Sequence, residues 1–481
     1  MALQSSLDPD ALPQLIGDFH PVDEWQTHIN EVFYGLRGAR LREYYQTFAS
    51  ADYRLAYALA EHYFQHLMQR AASGSSKDGQ VVAGRQSPLV VMEWGCGNGN
   101  LAACFLDRLK ALDTDNRFYP LVEYHLIDKS DVVLNEAKNN SDLARHQERT
   151  TFTCGSLEEL QAVSDGTVDR IICNELWSEL PTKLVLRKAG DLSEEHLRPN
   201  VSESKLAEIE DWEGFVQAFD QKDIKALTRY PSFLEDLVWE REYHDVESKS
   251  LSFRRTIADF LKQIDEEVLV PVNTGAATTL KEAIRLLSPH AVGFSSFDAG
   301  TFDAHVLNDP EKPCYSVHGG QFSFMVNFTL LEDIAKHLEA NVTVESQREF
   351  VGRHVGASVL TLMDLLAAHP YLPSPDSWEF DALVVRTLEA LNTSYQSQYK
   401  RVIEFPLRGA MPSEEKTKLE TILRDLKPEG VPDTIAYITE SEIDEARSSL
   451  EQLGYDAEGI RVMLRSPAQL VDYTHFFLSV S

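Results

Sequence analysis

The run Leu89-Val90-Val91-Met92-Glu93 leads directly into Trp94-Gly95-Cys96-Gly97-Asn98-Gly99-Asn100-Leu101. An apolar strand that breaks on three alternate glycines and restarts as a helix restricts the fold more than any other feature of the chain. Glycine reaches left-handed backbone without a Cβ penalty, so the turn can be tight and can lie against a nucleoside. The spacing is G-x-G-x-G, not the dinucleotide G-x-G-x-x-G, and Glu93 stands two residues before the first glycine. A carboxylate there would oppose a pyrophosphate cradled at the helix start.

The same carboxylate favours a ligand with a cationic end, such as the ammonium and sulfonium of S-adenosylmethionine. Glu93, Gly95, Cys96, Gly97 and Gly99 are therefore candidate cofactor contacts, with a tight turn holding no ligand as the plain alternative. The Cys96 thiol reads as small packing, because no histidine is near it in sequence to make it a nucleophile. A nucleoside site also needs an acid at the end of the second strand to accept the ribose hydroxyls, and Asp128, closing Tyr124-His125-Leu126-Ile127-Asp128, is placed for this. Adenine would be met after the third strand, at Ser156 and Leu157. Ser156 has an alternative as a helix cap, through its spacing to Glu159.

Strand and helix signals alternate from this point. Strands are expected at Leu89–Trp94, Leu121–Ile127, Thr151–Cys154 and Val168–Cys173, with helices at Leu101–Leu112 and Val132–Asn139. Alternation of this kind predicts a parallel sheet covered by helices. A helix is expected within residues 40–70, and a flexible loop from Ala71 to Ser87. Residues 185–288, rich in charge, read as helical, and the sheet is expected to resume at Ala291–Phe297. The implied division is an N-terminal helical region 1–87, a cofactor-binding half 88–184, a helical insertion 185–288 capping the acceptor side, the rest of the sheet at 289–370, and a C-terminal α+β extension 371–481. Asn174 and Glu175, just past the buried strand Ile171-Ile172-Cys173, fall where a strand end meets a ligand crevice, and carry acceptor recognition. Their alternative is a helix cap with an acid in the first turn.

Composition narrows the partners. Lys and Arg total 45 against 76 Asp and Glu, a net charge of −31, and that field repels phosphate backbones and anionic membranes. Nucleic acid and membrane are not expected partners; a protein substrate or small-molecule acceptor is, and a homodimer is open. The five cysteines, at 96, 104, 154, 173 and 314, form no C-x-x-C pair, so neither a disulfide framework nor a zinc site is indicated and no metal is expected. His62 and His66 stand four apart without the glutamate of a zinc-protease motif, and read as packing. No apolar run approaches the ~18 residues of a membrane span, and a cytoplasmic setting is expected.

Several segments together resemble the MidA-like methyltransferases, which include the mitochondrial protein arginine methyltransferases that assist assembly of respiratory complex I. They are Glu93-x-Gly-x-Gly-x-Gly99-x-Leu101, Tyr124 to Ser130, Asn174-Glu175-Leu176-Trp177-Ser178-Glu179-Leu180-Pro181, Phe297-Asp298-Ala299-Gly300, and Val326-Asn327-Phe328 through Phe350. The chain departs from the family at Ser178 and Asn327, where aspartates are usual. The resemblance implies an α/β fold, a Rossmann-like class I methyltransferase sheet with a helical insertion and an added C-terminal region. It also implies S-adenosylmethionine as cofactor, with Asn174 at the cofactor as well as the acceptor, and arginine on a partner protein as acceptor. A SAM-binding assembly protein without transfer and a small-molecule methyltransferase are the competing readings.

Overall fold

The computed structural model describes residues 15–38, 47–72, 88–156, 160, 163–247, 249, 251–399, 405, 407, 411–426, 431–432, 434–465 and 472–480. The loop expected over Ala71–Ser87 lies mostly outside these residues, as does Leu157. A central sheet contains β1 (Leu89–Trp94), β2 (Val122–Asp128), β3 (Thr150–Cys154), β4 (Arg170–Asn174), β5 (Gly293–Thr301), β6 (Asn341–Ser346) and β7 (Asp472–Ser479). Their spatial order is β6-β7-β5-β4-β1-β2-β3, with the short segment Val326–Asn327 added in parallel at the end of β5. Strands β3, β2, β1, β4 and β5 pair in parallel, whereas β7 runs antiparallel to both β5 and β6. This is the open, doubly wound arrangement that the resemblance implies, with one reversed strand between β5 and β6.

Alternate residues of each strand supply the two faces, as the pleat requires. Met92, Trp94, Ile171, Cys173, Phe294 and Phe476 pack against helices Thr274–Leu286 and Phe328–His337 on one side. Val91, Tyr124, Leu126, Ile172 and Phe297 pack on the other against Arg54–Ala72 and Asn100–Leu112. Burial on both faces explains why these strands read as continuous apolar runs rather than alternating ones.

Two expectations are corrected. The segment expected to be a helical insertion also contains an antiparallel sheet, built from Lys183–Lys188, Asp191–Val201, Leu237–Asp245 and Val270–Val272, joined by His20–Pro21. Helices of the segment include Trp212–Asp220, Arg254–Leu261 and the longer Thr274–Leu286. The charges that suggested solvated helices are paired across strands: Lys183 donates to Glu194 at 2.6 Å, both buried, and Arg198 bonds Glu240. Helix Val22–Arg37 covers this sheet through Val22, Trp25, Ile29 and Phe33. The N-terminal region thus serves two layers, since Arg54–Ala72 belongs to the central sheet.

The second correction concerns the C-terminus. Residues after Ser346 fold into helices including Trp378–Asn392 and Ser413–Asp425 and a two-stranded pair, Val359–Thr361 with Tyr437–Thr439. The chain then returns as β7, between β5 and β6. The expected extension is therefore an insertion, and its last strand is integral to the sheet. A single apolar stretch such as Phe476-Phe477-Leu478 carries no sign in sequence of which strands it will separate.

Candidate functional site

Parallel pairing brings the carboxyl ends of β1, β2, β4 and β5 to one edge, the edge at which open α/β sheets take ligands. Glu93, Asp128, Asn174 with Glu175, and Asp298 all lie there.

At the β1 end the three glycines have φ of 70°, 53° and 73°, all left-handed. The Gly95 and Cys96 amides donate to the Ile127 carbonyl at 2.9 and 3.2 Å, folding the turn over the end of β2. A Cβ on Gly97 would meet nothing within 4 Å, whereas one on Gly99 would approach Leu143 Cδ2 at 3.0 Å and Ala137 Cβ at 3.2 Å. Gly99 is thus required by packing at the start of helix Asn100–Leu112, and Gly97 leaves open space above the strand ends. The turn is anchored from outside: Asn98 donates to the Ser50 carbonyl at 3.2 Å and Asn100 to the Ala49 carbonyl at 2.7 Å.

Asp128 accepts from the Ser130 amide at 3.0 Å and the Gly97 amide at 3.4 Å, which ties the second strand to the glycine turn. Burial pushes its carboxyl up from the usual range, against these bonds and the nearby Lys129. Glu93 is buried and accepts from the Tyr124 hydroxyl at 2.8 Å, and desolvation pushes it up to about 8. Its carboxylate is thus held partly by an internal phenol. Cys96 is buried with its thiol pushed up by desolvation, the state of a packing group. Ser156 is exposed just past β3, beside Gly155, whose amide donates to the Asp128 carbonyl at 3.0 Å.

At the β4 end no helix follows Asn174. Glu175 takes left-handed backbone with φ 48°, and Leu176–Leu180 forms a turn closed by the Leu180 amide on the Leu176 carbonyl. The helix-cap alternative is therefore not realised. Glu175 is buried, accepting from the Phe48 amide at 2.7 Å, the Asn174 side chain at 3.2 Å and the Tyr473 hydroxyl at 3.3 Å. Burial pushes it up to about 8, assisted by Asp298. Asp298 is buried too, accepting from the amides of Ser178 at 3.0 Å and Ala299 at 2.8 Å, and desolvation pushes it up to about 7. Across the mouth, Tyr34 donates to Glu179 at 2.5 Å and accepts from Gln321 at 3.2 Å. Asn327, the other departure from the resemblance, caps helix Phe328–His337 through the Leu330 amide at 3.0 Å.

Among the described residues, none of Glu93, Asp128, Glu175 and Asp298 is held in an ion pair. Buried acids raised by desolvation, with Lys129 beside Asp128 as the one neighbouring cation among their main influences, fit a cationic ligand. The Asn174 carbonyl oxygen, buried without a partner, and the space above Gly97 fit a ligand bridging the two ends. Residue pattern thus located Glu93, the glycines, Asp128, Asn174 and Glu175 at one edge. It assigned no role to Phe48, Tyr34, Asp298 or Tyr473, of which only Asp298 carried a signal, as an acid closing an apolar strand. Among the described residues no group of three or more histidines, cysteines or acids is arranged for a metal. His62 and His66 have ring centroids 4.5 Å apart in a cluster with Phe350, His354 and Phe477.

Solved structures similar to this chain include a Burkholderia thailandensis protein bound to S-adenosyl-homocysteine, at 15% identity over 73% of this chain and 78% of that one, with a TM-score of 0.45. Another protein of that organism, described as uncharacterized, shares 13% identity over 96% of this chain and 87% of its own, with a TM-score of 0.47. No curated protein matches the chain. Residues 79–345, more than half of the 481, match the family described as "Putative S-adenosyl-L-methionine-dependent methyltransferase". The match spans β1 through β5, the glycine turn and all four acids at the strand ends, and the chain belongs to this family of methyltransferases that use S-adenosylmethionine.

Proposed function

We propose that the chain methylates a cationic nitrogen, an arginine side chain of a partner protein, as the resemblance to the MidA-like family implies. The observation that carries this reading is the buried, counter-charge-free Glu175 beside the unpartnered Asn174 oxygen at the end of β4. A guanidinium is a planar donor set that carboxylates grip in fork geometry. In this reading Glu93, the Gly95–Gly99 backbone and Asp128 hold the cofactor, with Ser156 and Leu157 near the adenine. Asn174 and Glu175 orient the acceptor nitrogen. When bound, S-adenosylmethionine supplies a methyl group on an already activated sulfonium. The chain's own residues supply proximity, alignment and exclusion of water. Ser178 stands where the family has an aspartate and donates to Asp298 instead, so the acid on that side of the crevice comes from β5.

Incubating the pure protein with methyl-labelled S-adenosylmethionine and a lysate of its own source should label a protein band whose label is recovered as methylarginine. Label on another residue type would overturn the arginine assignment. One observation favours a second acceptor class: residues 47–52 lie directly over Glu175 and the glycine turn, an enclosure suited to a small cationic metabolite. That reading predicts label in the dialysable fraction and none on protein.

A further inference from the structure

We propose that the Tyr34 ring is the seat of the cofactor's sulfonium, that Lys129 takes this seat when no cofactor is bound, and that the lysine returns to it once the sulfur has lost its charge. The inference rests on the cofactor placement proposed above and not on the identity of the acceptor. Tyr34 belongs to helix Val22–Arg37, outside the central sheet, yet it touches both sides of the crevice. Its hydroxyl donates at 2.5 Å to Glu179 in the turn after Glu175, and its ring carries the Lys129 ammonium 5.8 Å from the centroid. Lys129 directly follows Asp128 at the end of β2. Strand β1 lies between β4 and β2 in the sheet, so a side chain that meets residues beyond both of their ends spans the glycine turn. In S-adenosylmethionine the sulfur is bonded to the ribose carbon and faces the acceptor. With the ribose on Asp128 and the acceptor at Asn174 and Glu175, the sulfonium falls in the interval that Tyr34 bridges.

The ring is held in place by its helix. Gln26, Asn30 and Tyr34 recur every fourth residue on one helix face, and each is tied to the crevice wall. Gln26 donates to the Ser178 carbonyl at 3.2 Å and accepts from the Thr182 amide at 2.8 Å. Asn30 exchanges two bonds of 2.9 Å with the Phe322 backbone, and Tyr34 accepts from Gln321 at 3.2 Å. Burial pushes the phenol well above its usual range, and the charges of Glu179, Asp128 and Glu175 add to the effect, so it stays a neutral donor. A neutral aromatic face set among carboxylates attracts a cation. The exposed Lys129 is such a cation, already on that face. In methyl transfer the acceptor's lone pair forms the new bond to the methyl carbon, the carbon–sulfur pair stays on sulfur, and the positive charge leaves as the acceptor's displaced proton. Tyr34 then faces a neutral thioether, Lys129 regains the ring, and the product is held without the contact that held the cofactor.

Calorimetric titration of the full chain with S-adenosylmethionine and with S-adenosylhomocysteine, which differ by one methyl group and the sulfur's charge, reads the ratio of their affinities. Tyr34→Leu should lower that ratio about fivefold or more, and Tyr34→Phe, which keeps the ring, should hold it within about twofold. Lys129→Gln should raise the ratio about fourfold by tightening S-adenosylmethionine alone, and by less than about twofold in the Tyr34→Leu background, because the lysine acts through the ring. Asp128→Ala should weaken both ligands, since both carry the ribose. An unchanged ratio in folded Tyr34→Leu, with both ligands weakened by Asp128→Ala, would overturn the seat and leave the cofactor placement standing. Both affinities unchanged in Asp128→Ala would overturn the placement and the seat with it. Should Tyr34→Leu fail to fold, Lys129→Gln decides alone, and an unchanged ratio there overturns the seat.

Discussion

The two halves of the crevice are built on different principles. The β1–β2 half is local: three left-handed glycines, Asp128 and the bonds joining them all fall between residues 93 and 130, and Gly97 faces open space. The β4–β5 half is assembled from afar, with Glu175 held by Phe48 and Tyr473 from opposite ends of the described chain. The first is a preformed cradle that any sheet with this turn would offer. The second is a closed chamber whose shape depends on segments added around the sheet. Cofactor recognition and acceptor recognition should therefore fail separately when perturbed.

The largest effect is expected in the local half. Gly97→Val forces a β-branched residue into left-handed backbone and fills the space above the strand ends, so S-adenosylmethionine affinity should fall about a hundredfold or more by calorimetry. Retained affinity in a folded variant would break the assignment. Asp128→Ala removes an acceptor of charge-assisted bonds worth about 1.5–3 kcal/mol, and affinity should fall about ten- to a hundredfold. Glu175→Gln probes the other half: methyl transfer should drop more than about tenfold while cofactor affinity moves about twofold or less. Equal losses in binding and transfer would show that the two halves are not separable.

A smaller effect concerns pH. Glu93, Glu175 and Asp298 are raised in the folded protein to about 8, about 8 and about 7. An acid raised on folding binds more protons in the native state, so its contribution is full below the unfolded value and is lost as pH climbs through the folded one. The melting temperature of the ligand-free protein should fall from about pH 5 to about pH 8.5. The cationic S-adenosylmethionine should offset that fall more than neutral-sulfur S-adenosylhomocysteine does. Equal protection by both at every pH would count against a counter-charge role for these acids. Smallest of all, Tyr473→Phe removes one 3.3 Å bond to Glu175 and should lower transfer only a few-fold, about 1 kcal/mol or less, with cofactor affinity unchanged.

The same contrast decides what could be read from residues alone. Strands β1 to β5 and the helix after the glycine turn were legible to within a few residues, because apolar runs and glycine spacing are local signals. The acids at the strand ends followed from that register. Phe48 and Tyr473 were not assignable, since a backbone amide or phenol that reaches a carboxylate across 127 or 298 residues leaves no trace in local pattern. The antiparallel layer was misread for a related reason. Glu194, Glu195 and Asn200 are buried in Asp191–Val201, each with one polar atom bonded to a partner on a neighbouring strand. Charge density signals solvent only when nothing opposite neutralises it.

The position of β7 carries a consequence for how the molecule is made. A ribosome delivers β5 and β6 long before it delivers Asp472–Ser479, yet those two strands touch each other only through that segment. Until it arrives, the nascent chain exposes an unpaired flank on β5 and a stranded β6, the kind of edges that recruit foreign strands. Every residue of the long insertion must also have left the tunnel before the seam can close. Biogenesis of this enzyme therefore depends on keeping a half-zipped sheet protected during translation. Growth conditions that slow elongation or deplete strand-shielding chaperones should reduce the yield of native protein far more than its intrinsic stability would suggest.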